Sequence, residues 1–242
     1  MNKFFFAAMI TALSFEPLFA SEPPPSETEM KPLFNGTDLT GWDGDPQFWS
    51  VKEGVIHGET TKAKPAKGNT FLVLKNGSYT NFELRLSYRC NSSNNSGIQY
   101  RSKTMGPKAP DKWAMKGYQH ELRNSDILPN VPGFIYDEKG TRKRICLAGK
   151  KAIWKKGEAQ KTVLETLVDQ AAFSKIMKID NWNDIIIVAN GNNIKHYLNG
   201  TLILDFTDEH QDALKEGTFA IQLHAGAAMC TEVKDIRVKE LK

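Results

Sequence analysis

Apolar and polar residues alternate along most of this chain with a period of two, the pattern of half-buried β-strands. The clearest run is Asn81 to Cys90, where Phe82, Leu84, Leu86 and Tyr88 interleave with Glu83, Arg85, Ser87 and Arg89. Phe48 to Val51 and Val55 to His57 flank a turn at Glu53-Gly54, and Thr70 to Lys75 is apolar enough for an internal strand. Asn183 to Ala189, Asn193 to Leu198 and Thr201 to Phe206 form a meander. Its joints, Asn190-Gly191 and Asn199-Gly200, suit the positive φ angles of tight hairpins. Thr218 to His224 and Glu232 to Leu241 follow, the last with an irregularity near Lys234-Asp235 that reads as a bulge. Short strands separated by turn signals predict an all-β sandwich. The segments Lys103 to Lys116 and Gly140 to Asp180 read as less regular. Within the second, Asp169 to Lys178 predicts a short helix, with Asp169 as N-cap and Ala172, Phe173, Ile176 and Met177 as its apolar stripe.

Five strings carry polar side chains on one face of a predicted strand: SGIQYRS (Ser96 to Ser102), GYQHEL (Gly117 to Leu122), GFIYDE (Gly133 to Glu138), IKHYLNG (Ile194 to Gly200) and AIQLH (Ala220 to His224). Gln99 and Arg101 share a face opposite Ile98 and Tyr100. Gln119 and Glu121 oppose Tyr118 and Leu122, and Gln222 and His224 oppose Ile221 and Leu223. A plain solvated face favours Lys, Thr and Ser. Repeated Gln, Arg, Glu and His predict a hollow that hydrogen-bonds a polyhydroxylated ligand, provided those six side chains converge.

The beginning of the chain reads differently. Lys3, the apolar run Phe4 to Phe15 and the site Leu18-Phe19-Ala20 before Ser21 form a predicted signal peptide over 1–20, with an uncleaved anchor as the alternative. The run is too short and too interrupted by Glu16 and Pro17 to span a membrane. Residues 21–31, with Pro23, Pro24 and Pro25 and three Glu, read as an extended linker, and 32–242 as one β-sandwich domain without internal repeats. The expected location is secreted, periplasmic or cell-surface.

The 242 residues are 40% hydrophobic and 25% charged, an ordinary globular balance, with net charge +4. The densest basic cluster, Arg142-Lys143-Arg144 followed by four lysines, has only Trp154 for stacking, so it reads as a solvated loop and not a nucleic-acid surface. Cys90, Cys146 and Cys230 permit at most one internal disulfide and have no metal-site spacing. Cys90 reads as a small buried hydrophobe. Trp42, Trp49 and Trp182 read as core residues, and His57 and His210 as surface ones.

Eight motifs in order resemble the secreted 3-keto-disaccharide hydrolase family. They are LFNGTDLTGW (Leu33 to Trp42), FWSVKEGVIHG (Phe48 to Gly58), FELRLSYR (Phe82 to Arg89), NSGIQYRS (Asn95 to Ser102), GYQHEL, GFIYDEKGTR (Gly133 to Arg142), DNWNDIIIVANGNNIKHYLNG (Asp180 to Gly200) and IQLHAG (Ile221 to Gly226). The resemblance implies a concanavalin A-like jelly roll of two antiparallel sheets, one curved around a ligand groove. It implies a glycoside oxidised to a ketone at C3 as substrate. The chain departs from the family's common pattern after GYQ, where His120, Glu121, Leu122, Arg123 and Asn124 stand in place of alternating acidic residues.

A ketone at C3 acidifies the C2 proton. Its removal gives an enolate that expels the C1 substituent, and water then adds back. That route needs a base near C2, donors near the C3 oxygen and an acid near the leaving oxygen. The catalytic candidates are Glu121 or His224 as base, Arg101 at the enolate oxygen, and His196 or His120 as acid. Gln99, Gln119 and Gln222 suit sugar hydroxyls, with Tyr118, Tyr136, His120, Asp137 and Trp113 as further substrate contacts. Asp137 and Glu138 are alternatives for ligand, a divalent cation or Arg142. No cofactor is required, and the metal is left unassigned.

Each assignment has a structural competitor. Glu121 and Arg101 would also suit a cross-strand salt bridge. His120 falls on the Tyr118 and Leu122 face, and His196 on the Ile194 and Leu198 face, where packing competes with chemistry. The rival function is a lectin-like carbohydrate-binding module that uses the same groove without turnover. A third reading, a glycosidase of the same fold, calls for two carboxylates across the groove.

Overall fold

The computed structural model describes residues 22–91, 94–106, 109 and 111–242; the predicted signal peptide lies outside them. Among the described residues, seventeen strands and one helix follow in chain order. They begin β1 (Lys31–Pro32), β2 (Trp42–Asp43), β3 (Trp49–Lys52), β4 (Val55–Thr60), β5 (Thr70–Leu74), β6 (Phe82–Cys90) and β7 (Ser96–Thr104). Next come β8 (Met115–Leu122), β9 (Ile135–Glu138), β10 (Arg144–Cys146), β11 (Lys150–Trp154), β12 (Thr162–Thr166) and α1 (Gln170–Ile176). The chain closes with β13 (Asn183–Asn190), β14 (Asn193–Leu198), β15 (Thr201–Asp208), β16 (Thr218–Leu223) and β17 (Met229–Glu240).

They build two stacked sheets. One has ten strands, ordered β12-β11-β15-β14-β13-β6-β17-β4-β3 with β1 beside β17; the other has seven, ordered β10-β9-β8-β7-β16-β5-β2. Neighbours are antiparallel except β11 and β15, which run parallel. Period-two alternation places the interior. Phe82, Leu84, Leu86, Tyr88 and Cys90 of β6 enter the core, as do Ile98 and Tyr100 of β7 and Phe219, Ile221 and Leu223 of β16. Aromatic rings bridge the layers: Phe82 meets Phe219 edge-on at 4.9 Å between centroids, and Tyr79 stacks on Phe219 at 4.5 Å.

Two expected turns form as read, and the third shifts by one residue to Gly191-Asn192, because Asn190 pairs with Asn193 in the ladder of β13 and β14. Glu53-Gly54 and Asn199-Gly200 both take positive φ, 50° and 76°, then 48° and 83°, as two-residue hairpins with the strand's own twist require. Asp235 has φ 55° where the register of β17 against β6 slips, so the bulge is real. Asp169 caps the helix by accepting from Ala172 N at 2.9 Å. Of the expected apolar stripe, Phe173 and Met177 are buried, Ile176 is half-buried and Ala172 is exposed.

Several expectations change. β1, β2, β10, β11 and β12 are two to five residues long, and all but β2 carry Lys, Arg or Thr, so they are too short or too polar to show alternation. Within the basic cluster Arg142 departs from the solvated reading, its side chain only 4% exposed and paired with Asp208 at 2.9 Å, while Lys143, Lys155 and Lys156 are exposed. Trp182 is half-buried, and Arg89 and Lys234 lie over its ring, so it belongs to the outer face of the ten-stranded sheet. All three cysteines are free, Cys90 and Cys146 buried. Residues 22–28 have no regular structure but lie across the outer face of the same sheet: Glu22 pairs with Lys195, Glu27 with Arg85 and Arg237, and Thr28 with Lys239. No helix among the described residues is long and apolar enough to cross a membrane.

Truncating Phe82, which is fully buried against Tyr79, Tyr100 and Phe219, removes one ring of the inter-sheet seam. Phe82→Ala is expected to lower unfolding free energy by about 3–5 kcal/mol, measured by equilibrium chemical denaturation; a loss under about 1 kcal/mol would contradict this packing.

Candidate functional site

The outer face of the seven-stranded sheet is polar where a solvated face would be mixed. Registers align Gln99 with Gln119, Gly97 with Glu121, and Gln119 with Tyr136, so these positions share one face across β7, β8 and β9. A hydrogen-bonded row results. Gln99 Nε2 donates to Gln119 Oε1 at 2.7 Å, and Gln119 Nε2 donates to Glu121 Oε2 at 3.0 Å. Arg123 Nε closes the row, donating to Glu121 Oε1 at 2.8 Å. Gly97 is needed here, since a Cβ at that position would fall inside the Gln119 amide. A second pair lies alongside: Gln222 Nε2 and Asn69 Nδ2 each donate to Glu138 at 3.3 Å.

These groups open on a cleft of about 340 Å³, lined by Asn69, Asn95, Gln119, Glu121, Arg123, Phe134, Tyr136, Glu138, Lys139, Lys143, Arg144 and His224. Burial raises the Glu121 carboxyl to about 7, against the opposing pull of Arg123 and the Gln119 bond. His224 Nδ1 lies 2.7 Å from the Ala225 carbonyl. A carbonyl only accepts, so Nδ1 carries the proton and the neutral ring keeps its basic lone pair on Nε2. Glu121 and His224 are therefore one group that titrates near neutrality and one lone pair, on the same cleft. Four cationic side chains, Arg123, Lys139, Lys143 and Arg144, face the same space.

Of the expected residues, Gln119, Glu121, Tyr136 and His224 line the cleft. Gln99 and Gln222 are fully buried beneath it and orient Gln119 and Glu138 in place of touching a ligand. The others are displaced for definite reasons. A bulge between Tyr100 and Lys103, with φ 47° at Arg101, breaks the alternation. The Arg101 guanidinium is buried and donates to the carbonyls of Thr80 and Leu214 at 2.7–3.1 Å, so it is a structural clamp and not an enolate stabiliser. Glu121 pairs not with Arg101 across the strands but with Arg123, two residues further along its own chain segment.

His196 and His120 sit between the sheets, fully buried, with ring centroids 4.5 Å apart. His196 Nδ1 donates to the Gly133 carbonyl at 2.8 Å and Nε2 accepts from the Tyr100 hydroxyl at 3.1 Å. Burial lowers the His196 ring to about 4 and holds His120 well below the usual histidine range, so neither supplies a proton to the cleft. Tyr118 is also interior: its hydroxyl donates to Asp208 and accepts from Leu214 N at 2.7 Å. Asp137 serves its own turn, accepting from Arg142 N at 3.0 Å, while Glu138 faces the cleft. The two acids therefore do not converge on a cation. Trp113 packs with Phe71, Val73 and Met115 on the same outer face. It borders a separate hollow of about 610 Å³ at the opposite ends of β5, β7 and β16.

Sequence reasoning understated Glu138, Arg144, Lys143 and Asn69. Glu138 shares its parity with Tyr136, a signal available in the string GFIYDE. Arg144 belongs to a strand of three residues, and Asn69 precedes a strand, so neither carries a local signal.

Solved structures share the fold. A candidate glycosyl hydrolase from Parabacteroides distasonis is 20% identical with a TM-score of 0.56, covering 88% of this chain and 94% of its own. A carbohydrate-binding module from Bacillus subtilis is 14% identical with a TM-score of 0.51, covering 83% and 96%. A non-specific endo-beta-1,3(4)-glucanase is 12% identical with a TM-score of 0.52, covering 90% and 94%. No curated protein matches the chain. The 3-keto-alpha-glucoside-1,2-lyase-like domain matches residues 29–239. Almost the whole described β-sandwich lies within that span, and the chain belongs to this domain family.

Proposed function

We propose that this protein is an exported carbohydrate-active enzyme that cleaves 3-keto-glycosides by elimination across C1 and C2, followed by addition of water. The observation that carries the reading is the pairing of Glu121, poised near neutrality, with the Nε2 lone pair of His224 in one cation-rimmed cleft. Family membership supports the carbohydrate class, and the sequence pattern of residues 1–20 supports export.

His224 Nε2 takes the C2 proton, and the C–H electron pair moves into the C2–C3 bond as the C3 oxygen gains negative charge. Cations on the cleft wall, Arg144 and Lys143 foremost, stabilise that oxygen in place of Arg101. The enolate re-forms the ketone, a C1–C2 double bond appears, and the C1–O bond breaks. Glu121, half protonated near pH 7, gives its proton to the leaving oxygen. Water then adds at C1 and a proton returns to C2, completing net hydrolysis. Tyr136 and Gln119 are placed to hold hydroxyls.

A second reading has one specific support: Glu138 lines the same cleft, so two carboxylates are present, as an ordinary glycosidase requires. Against it, both Glu138 oxygens are already engaged by Asn69 and Gln222. A non-catalytic lectin would need neither a group titrating near neutrality nor an imidazole lone pair.

Incubation with 3-keto-sucrose, 3-keto-trehalose and 3-keto-cellobiose beside their unoxidised parents tests the proposal. Monosaccharide release from a keto sugar alone is expected. Release from the parents favours the two-carboxylate reading, and binding without product favours the lectin. Glu121→Gln is expected to lower kcat on a 3-keto-disaccharide by about 10²–10⁴-fold but much less on an activated aryl 3-keto-glycoside. His224→Ala is expected to lose both, and equal losses in the two substrates for Glu121→Gln would remove the acid role.

The raised Glu121 pKa has two further consequences. The acid form is needed, so kcat is expected to fall as pH rises through about 7, and Glu121→Gln to remove that limb. The folded state holds the proton more tightly than the unfolded chain, whose reference value is 4.5, so stability drops between about 4.5 and about 7. Thermal melts across that window are expected to be flatter for Glu121→Gln than for the parent protein. A parallel pair of curves would show that Glu121 is not perturbed by burial.

A further inference from the structure

On the side of the sandwich opposite the cleft, β4 and β17 place a second group of reactive side chains together. Cys230 and Glu232 alternate with the buried Met229, Thr231 and Val233, so both project from the outer face of the ten-stranded sheet. The register sets Cys230 beside Glu59 and Glu232 beside His57. His57, expected to be a surface residue, is only 8% exposed, because carboxylates and the thiol surround its ring. Its Nδ1 lies 3.3 Å from Glu232 Oε1 and 3.8 Å from Cys230 Sγ, and its Nε2 lies 3.3 Å from Glu59 Oε2.

We propose that His57 Nδ1, Cys230 Sγ and Glu232 Oε1 form a tetrahedral site for a borderline-soft divalent ion of the zinc class, with the fourth position left to water.

The spacing fits such a shell. Zinc bonds of about 2.0–2.1 Å to nitrogen and oxygen and about 2.3 Å to sulfur give tetrahedral edges of about 3.3 Å for N···O and about 3.6 Å for N···S. The corresponding separations are 3.3 Å and 3.8 Å; Sγ also lies 4.0 Å from Nε2, beside the ring, and a rotation about the Cys230 Cα–Cβ bond brings it round to the Nδ1 side. The three ligand atoms lie within 4.8 Å of one another.

The surrounding contacts are those that a metal's ligands need. With the ion on Nδ1, Glu59 accepts the ring proton at Nε2 of His57, the carboxylate–histidine–metal relay that holds the ring in place. Arg89 engages the other oxygen of Glu232, with Nε at 2.7 Å, and turns Oε1 towards the ring. The Arg89 guanidinium is itself seated over Trp182 at 5.0 Å. The ligand set, one thiolate, one imidazole and one carboxylate, is a zinc set; magnesium and calcium favour all-oxygen shells. Binding replaces the thiol proton with the ion and releases that proton to water. With two anionic ligands the bound site is neutral, and Glu59 and Arg89 balance each other beside it.

A plain ion network of His57, Glu59, Glu232 and Arg89 would need no sulfur, and cobalt(II) separates the two arrangements. Titrating the reduced protein with Co²⁺ is expected to give one tight equivalent, with tetrahedral visible absorption and a thiolate-to-cobalt band in the near ultraviolet. Zn²⁺ should displace it. Cys230→Ser and Cys230→Ala, each checked for fold by circular dichroism, are expected to abolish the thiolate band. Glu59→Gln, which removes only the supporting contact, should weaken affinity about tenfold, and Glu121→Gln should leave it unchanged. No thiolate band in the parent protein, or a band that survives in both Cys230 variants, overturns the site.

Discussion

One interior hydrogen bond links the two sheets to the cleft. His196, on the ten-stranded sheet, donates through the core to the carbonyl of Gly133, just before β9. Gly133 and Phe134 in turn exchange backbone hydrogen bonds with Glu121: Gly133 N donates to Glu121 O at 2.9 Å, and Glu121 N to Phe134 O at 3.1 Å. The backbone that carries the principal carboxylate is therefore braced from behind by a histidine that never meets solvent. Tyr100 fixes that histidine's other nitrogen, so the ring can act only in one tautomer. Burial keeps it neutral, which the role requires, since a charged ring could not accept from Tyr100.

The cleft depends on the opposite treatment of polar groups. Among the described residues the core leaves few polar atoms unmatched, chiefly the two ring nitrogens of His120 and the indole nitrogen of Trp49. On the outer face of the seven-stranded sheet, Gln99, Gln119 and Glu121 satisfy one another in sequence, and the terminal carboxylate inherits the desolvation of the row. Arg123 offsets part of that cost without cancelling it. The outcome is a carboxyl whose protonation changes near neutrality.

Much of this was legible in the chain, because period-two alternation is a local property. The strands β6, β13, β14 and β16, the hairpin tips, the helix cap and the bulge in β17 all follow from neighbouring residues. The outward set Gln99, Gln119, Glu121 and Gln222 follows as well. Alternation failed where a single backbone angle changed. At Arg101 the left-handed conformation reverses the parity, and no neighbouring residue announces it. Strand address held at His120 and His196, which lie on apolar faces by their spacing and are interior. Asp137 and Glu138 show the same lesson, since their parity separates them. Arg144, Lys143 and Asn69 reach the cleft through tertiary folding alone.

The stretch from Glu22 to Thr28 crosses the back of the ten-stranded sheet and is riveted there by Lys195, Arg85, Arg237 and Lys239. Its direction decides how the molecule is presented. Glu22 lies at the rear of the sandwich, so the chain enters the domain on the face turned away from Glu121 and His224, and the mouth of the cleft is left uncovered by this stretch.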